Sequence, residues 1–351
     1  MYISPFSIVL MAYNLLFILG IAWQLFFNKK TKEWKEFGIM EEGLVLLVQY
    51  CVSLVITPFI LNFSGADNKG KDVLYLIGIV FFGLELLVLF FILARNYVIC
   101  KKNPSEKDKR QYEQCVEEIH SRNDELKRDF SRKILHVIVS VSLVLVNIIA
   151  TELDKYYKSI DLFQGLGVTA RAGIIGLTIC VFWGFSFMFT LQDLVRLNIY
   201  YTVPGWGRSW ITNSLRKKEC YSFSASSSIL LGLVPFLMAP HPVFFTISFI
   251  STASDAASST IGMRFGKHKI GINKDKSYEG LIAGIIMTFV CVVLVNLFFF
   301  PAKILQIMLL TTIITAIYGL FDASIKKVND NFMNTIVLGF ITWVLHNLIL
   351  L

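Results

Sequence analysis

The chain has 351 residues, a formal net charge of +8 and a hydrophobic fraction of 55%, with only 17% of residues charged; its mean hydropathy is +0.62. Soluble domains carry about a quarter charged residues, so this composition excludes a soluble two- or three-domain protein. The surplus Lys and Arg lie in loops between long apolar runs, which points to basic loops at an anionic leaflet and away from nucleic acid.

Ten stretches meet the requirement of about 20 mostly apolar residues for a membrane span: 5–27, 42–63, 73–99, 132–151, 171–195, 221–240, 242–263, 278–300, 303–323 and 332–351. The first lacks a basic preceding region and reads as a span, not a signal peptide. The odd-numbered connections carry 26 Lys or Arg and the even-numbered ones 6. The positive-inside rule then makes the rich side cytoplasmic and places both termini on the non-cytoplasmic side. The expected fold is an all-α polytopic integral membrane protein of about ten transmembrane helices. It divides into an N-terminal three-helix region (1–99), a charged cytoplasmic linker (100–131) forming a helix or hairpin, and a seven-helix catalytic membrane domain (132–351). The six cysteines, Cys51, Cys100, Cys115, Cys180, Cys220 and Cys291, include no C-x-x-C pair and so give no zinc, redox or disulfide signal.

Polar residues crowd the second part of the chain. In the third span only Glu85 stands out, either paired with a neighbouring helix or touching a substrate headgroup. The fourth span opens with Arg132, Lys133 and His136; the fifth closes with Asp193 and Arg196; Arg216 and Glu219 precede the sixth. The seventh holds Asp255, eight residues before Met263 and therefore roughly 12 Å inside the helix end. An ionisable group at that depth is costly and is by default a functional candidate. Ser251, Asp255, Ser258, Ser259 and Gly262 share a helix face, which equally suits a small-residue helix interface with one paired Asp.

The loop that follows, from Gly262 to Lys269, combines Gly262 and Gly266 with Arg264, Lys267, His268 and Lys269. Backbone N–H groups exposed by glycine, together with fixed positive charge, suit a polyphosphate. Lys274, Lys276, Ser277 and Gly280 lead into the eighth span, whose N-terminus is a second anion site. The spacing is not G-x-x-x-x-G-K-[ST], so this is no P-loop. Asp322 ends the ninth span and is followed by Asn329, Asp330 and Asn331. Carboxylates beside a phosphate site commonly hold a divalent cation.

In this order the clusters resemble the CTP-dependent lipid-alcohol kinases, the family of dolichol kinase, phytol kinase and a CTP-dependent diacylglycerol kinase, related to phosphatidate cytidylyltransferases. The resemblance covers roughly residues 129–351. Arg132-Lys133-Ile134-Leu135-His136 resembles the family's R-K-x-x-H, Asp193 to Arg196 its acidic-x-x-Arg element, and Arg216 to Glu219 its Arg-x-x-Glu element. Asp255 through Lys267 is similar to its D-x-x-A/S…G-x-x-x-G-K core, Asn273 to Gly280 to its N-K-x-K-S-x-x-G stretch, and Asp322 with Asn329-Asp330-Asn331 to a late acidic residue followed by D-D-N. Departures are Ser254 where Gly is common, Asn329 where Asp is common and Asp322 where Glu is common. The lysine-rich stretch leading to D-R-x-D, typical of the cytidylyltransferases, is absent.

The resemblance implies transfer of the terminal phosphate of CTP to a membrane-embedded lipid alcohol, with dolichol or another polyprenol first and phytol or diacylglycerol next, supported by Mg2+ or another divalent cation. It implies Asp255, His136 and Asp330 as catalytic groups. Arg132, Lys133, Gly262, Gly266, Lys267, Lys274, Lys276, Ser277, Gly280, Arg196 and Arg216 would hold nucleotide and phosphates. Asp255, Asp330, Asp322, Asn331, Glu219 and Asp193 would supply metal ligands. The partners would be CTP, the lipid alcohol and membrane lipids, with the site facing the cytoplasm. The competing readings are a cytidylyltransferase making a CDP-lipid and a multi-helix transporter; motifs gathered at one face, without an inverted repeat, weigh against the transporter.

Overall fold

The computed structural model describes residues 5–26, 39–60, 68–122, 125–156, 170–271, 276–299, 303–324 and 333–349. They are overwhelmingly helical; among them there is no strand, and one isolated bridge joins Lys269 to Ser277. Among the described residues, four helices are long and apolar enough to cross a membrane: Ile8–Phe26, Asp72–Lys102, Tyr278–Phe299 and Ile304–Ser324. Phe90 and Phe91 are about 70% exposed, a large apolar surface that only lipid or a partner would cover. The chain is an all-α membrane protein.

By internal packing it divides otherwise than at residues 99 and 131: one unit comprises residues 1–128 and 147–231, the other 129–146 and 232–351. The first unit contains α1 (Pro5–Phe26), α2 (Ile39–Ile60), α3 (Asn68–Lys102), α4 (Pro104–Asp108), α5 (Tyr112–Ser121), both ends of α6 (Glu125–Tyr156), α7 (Ala170–Ile199), α8 (Gly205–Ser214) and α9 (Ala225–Leu233). The fifth expected span, α7, joins the N-terminal helices because its Phe187 ring is the centre of an aromatic stack. It lies 5.0 Å from Phe17, 5.5 Å from Tyr13, 6.3 Å from Tyr50 and 5.7 Å from Phe82, separations at which rings attract beyond their burial. Buried polar bonds add to it: Trp183 Nε1 donates to Ser53 Oγ (3.0 Å), and Gln49 Nε2 to the Ser228 carbonyl (2.9 Å).

The charged linker is not a free surface arm. On α5 the residues Cys115, Val116 and Ile119 form an apolar stripe that packs on Val195, Ile211, Leu215 and Cys220. Residues 205–214, expected as loop, form the amphipathic α8, which buries Gly207, Ile211 and Thr212 and exposes Trp206 and Trp210.

The second unit contains the middle of α6, then α10 (His241–Phe249), α11 (Asp255–Phe265), α12 (Tyr278–Phe299), α13 (Ile304–Ser324) and α14 (Leu338–Ile349). The seventh expected span is α10 and α11 joined by a π-turn, Ile250–Ser254. The sixth is broken instead: α9 gives way to a 3-10 turn, Val234–Met238, where Pro235 removes a helical donor. Helices α11 and α12 meet through glycines. A Cβ on Gly280 would stand 2.7 Å from the Ser258 carbonyl oxygen and 3.0 Å from Gly262 Cα; one on Gly284 would stand 2.7 Å from the Tyr318 hydroxyl. Small residues are what allow backbones to approach this closely.

Candidate functional site

In the second unit, α11 organises a polar cluster. Asp255, the first residue of α11 after the π-turn, forms an ion pair with Lys133 from α6. Three residues on, Ser258 Oγ donates to Asp322 Oδ2 at 3.2 Å, and Lys276 Nζ donates to Asp322 Oδ1 at 2.5 Å. Positions three apart on a helix are neighbours on one face, so the Lys133–Asp255 and Lys276–Asp322 pairs form one continuous patch along α11. Both carboxylates are largely buried, at 15% and 5% side-chain exposure. Buried charges persist when paired and hydrogen-bonded, and here each acid has an ammonium.

Local sequence explains the placement. The run Ser251-Thr252-Ala253-Ser254 is small and hydroxylated; its threonine returns bonds to the neighbouring chain, while the buried Ser251 and Ser254 hydroxyls have no hydrogen-bond partner among the described residues. Thr252 Oγ1 donates to the Ser248 carbonyl (2.7 Å) and to Ser140 Oγ on α6 (3.1 Å). The π-turn adds a residue to the helix and so re-aims whatever follows; such turns recur at functional sites. After α11, residues 266–271 pair with 276–278: the Ile270 N–H donates to the Lys276 carbonyl (3.1 Å) and the Tyr278 N–H to the His268 carbonyl (2.9 Å). This return brings Lys276 to Asp322. Glu279 clasps the bend from below, its carboxylate bonded to the His268 ring at 2.7 Å and to the His268 N–H at 3.3 Å.

The glycines serve a different purpose from the phosphate-facing loop expected of them. The Gly266 N–H donates to the Gly262 carbonyl at 3.1 Å, and the Gly280 N–H to Ser277 Oγ at 3.2 Å, so neither is available to an anion. Gly262 lies inside α11, where its N–H belongs to the helical ladder. Gly266 is required by close approach, since a Cβ there would collide with the Gly262 carbonyl and with Ser277. Ser277 is the N-cap of α12 as expected, with its hydroxyl occupied by Gly280. Lys267 is exposed, Arg132 faces Asp129 at 3.6 Å, and His136 lies one turn beyond Lys133 on α6. Lys274, Asp330 and Asn331, with Asn273 and Asn329, lie outside the described residues.

Four further candidates belong to the first unit, apart from this cluster in the chain's division. Arg196 is fully buried and committed to its own neighbourhood. Its Nη1 donates to the Cys220 carbonyl (2.6 Å), the Glu219 carbonyl (3.2 Å) and the Tyr112 hydroxyl (2.5 Å), and its Nη2 to Asp193 Oδ1 (2.8 Å) and the Ser222 carbonyl (2.6 Å). Asp193 Oδ2 accepts the Ser224 N–H at 2.7 Å. Glu219 accepts the Arg216 N–H at 3.1 Å and closes a 3-10 turn. These bonds lock the 215–224 segment onto α7. Glu85 on α3 lies over Gly184 of α7, where a Cβ would meet its Oε2 at 3.2 Å.

The expected divalent-cation set is not assembled by the described residues. Among them no three of His, Cys, Asp and Glu come together, and Asp255 and Asp322 each face a lysine instead of one another. Asp330 and Asn331, the rest of the expected set, lie outside the described residues. The π-turn had no individual signal in the sequence beyond its small hydroxylated run, and the pairing of each carboxylate with a particular lysine had none. No family model, no curated protein and no solved structure matches the chain.

Proposed function

We propose that the protein is a CTP-dependent kinase that phosphorylates a membrane-embedded lipid alcohol, a polyprenol such as dolichol first among the candidates. One observation carries the reading: two buried lysine–carboxylate pairs, Lys133–Asp255 and Lys276–Asp322, lie side by side along α11. They fall in the stretch whose motifs resemble this family. Ten crossings with the basic loops and the site on the cytoplasmic face complete the proposal.

Lysines resting on carboxylates suit a site that receives an anion. When the triphosphate arrives, Lys133 and Lys276 exchange carboxylate oxygens for phosphate oxygens, with no free ammonium left buried before binding. The departure of Lys133 frees Asp255 to accept the proton of the lipid hydroxyl; His136, one turn along α6, is the second candidate base. The alcohol oxygen bonds to the terminal phosphorus, the bond from that phosphorus to the bridging oxygen breaks, and CDP leaves with the electron pair. The catalytic work is positioning and charge neutralisation. CTP comes as its magnesium complex, so the cation enters with the substrate.

The test is CTP labelled on the terminal phosphate, offered with polyprenol, phytol and diacylglycerol separately to the detergent-purified protein. Label in one lipid, lost in Asp255→Asn, is the expected result and names the acceptor. Pyrophosphate released when phosphatidate is offered, with no labelled alcohol, overturns the kinase in favour of a cytidylyltransferase. Silence in both arms leaves a transporter as the better account.

A further inference from the structure

The first unit contains a cavity of about 300 Å³ with no part in the proposed reaction. Lys109, Arg110 and Arg122 line it from the segment that carries α5, and Arg208, Ser209 and Asn213 from α8. Glu118 is the one carboxylate among the lining residues, and it is taken by Arg122, which also donates to Asn213 Oδ1 at 2.7 Å. Arg110 is held in place by Glu106 at 3.2 Å and Asn96 at 3.3 Å. Arg208 has no ion-pair partner among the described residues, and the Nε atoms of both Arg110 and Arg208 are buried without a hydrogen-bond partner there. Lys109 shares Glu106 at 3.3 Å, so four cations meet two carboxylates, and the Arg208 charge with the two orphaned guanidinium donors leaves a cavity suited to an added anion.

The size of the cavity sets the class of ligand. It lies at the lower end of the roughly 300–1,000 Å³ of small-molecule pockets, which suits a phosphorylated headgroup better than a whole nucleotide. Arginine forks match phosphate oxygens in geometry as well as charge. Its setting supplies the source. Lys109 follows the end of the long apolar α3 by seven residues. On α8 itself, Trp206 and Trp210 are 69% and 41% exposed one turn apart. Exposed tryptophans on one face of a short amphipathic helix are the mark of the headgroup layer.

We infer that the cavity between α5 and α8 binds the phosphate of an anionic membrane-lipid headgroup. The wild-type protein, full length and in neutral detergent, would be titrated with dioctanoyl phosphatidate, dioctanoyl phosphatidylcholine and inorganic phosphate while its thermal midpoint and native mass are followed. The expected result is saturable 1:1 binding of phosphatidate with a raised midpoint and little response to phosphatidylcholine. Affinity should fall about tenfold or more in Arg110→Gln/Arg208→Gln, since each arginine supplies charge-assisted bonds. Arg110→Lys/Arg208→Lys should restore part of it. Wild-type protein that ignores phosphatidate overturns the inference. So does equal affinity for inorganic phosphate, which would make the ligand a free anion. Retained binding in the glutamine variant would move the lipid to another site and overturn it as well.

Discussion

The Lys133–Asp255 pair can be dissected so that its structural and chemical parts separate. Lys133 is 7% exposed and Asp255 15%, so neither charge can be rehydrated in place. Lys133→Gln leaves Asp255 as an unmatched buried carboxylate, and Asp255→Asn leaves the ammonium; breaking a buried pair from one side costs about 3–5 kcal/mol. At about 2–4 °C per kcal/mol for a unit of this size, each single variant should lower the apparent Tm by roughly 6–20 °C. The double variant Lys133→Gln/Asp255→Asn buries neutral amides that can bond to each other. It should recover most of that loss, giving a coupling of about 2–3 kcal/mol or more in a double-mutant cycle. Unfolding in detergent is often irreversible, so all four proteins are compared at one scan rate. Transfer of label from CTP to lipid should behave differently. It should be absent in Asp255→Asn and remain absent in the double variant, because regained stability does not return the proton acceptor. Additive Tm losses would refute the pairing; activity that recovers with stability would refute a chemical role for Asp255.

Gly280→Ala should lower the apparent Tm, because a methyl 2.7 Å from the Ser258 carbonyl must push α11 and α12 apart at about 1–3 kcal/mol; Gly83→Ala, with nothing within 4 Å, should not. Arg196→Lys should be almost as damaging as Arg196→Leu in thermal scans, since one ammonium cannot reach the five acceptors that the guanidinium serves. Burial holds the Tyr112 phenol above its ordinary range. The folded state then keeps a proton that the unfolded chain releases above about pH 10, so stability is lost as pH rises beyond that value. The Tm drop between pH 9 and 11 should shrink in Tyr112→Phe. Chelation should stop transfer by stripping magnesium from CTP yet leave the Tm within about 1 °C if, as proposed, the cation enters only with the nucleotide, since such a ligand contributes nothing to the stability of the nucleotide-free protein.

The membrane class and the long helices were legible because their signal is composition sustained over about 20 residues. α1, α3, α12 and α13 fall within a few residues of the expected spans. The prominence of Asp255 and Asp322 was legible for a related reason, as charge inside an apolar run has few structural excuses. The partners were not legible: Lys133 lies more than a hundred residues from Asp255, and nothing local to either marks the pairing. Glycine was misleading for a physical reason. A glycine-rich stretch next to basic residues reads as a phosphate loop and as a helix crossing alike, and only the bonds of Gly266 and Gly280 to Gly262 and Ser277 separate the two. In the linker, expected as a helix or hairpin, α4 and α5 are helical; its few apolar residues Cys115, Val116 and Ile119 are outnumbered by charge yet fix α5 in place.

Two of the buried ion pairs among the described residues show why pairing alone does not identify a site. Asp193–Arg196 and Lys133–Asp255 are both ion pairs sealed from water, but they differ in what else their atoms do. The arginine is shared among three backbone carbonyls and a phenol, and Asp193 adds a backbone N–H; removing either would unfasten the 215–224 segment, so the pair has no state in which it opens. A lysine is a flexible point charge with rotatable donors, and in the proposed reaction the ammoniums of Lys133 and Lys276 would trade a carboxylate for a phosphate. The hydroxylated π-turn behind Asp255 and the backbone bonds around Lys276 would hold the two ends in register during the proposed exchange. A site that binds an anion and then releases it needs that reversibility. In this chain the lysine pairs have it and the arginine pair does not.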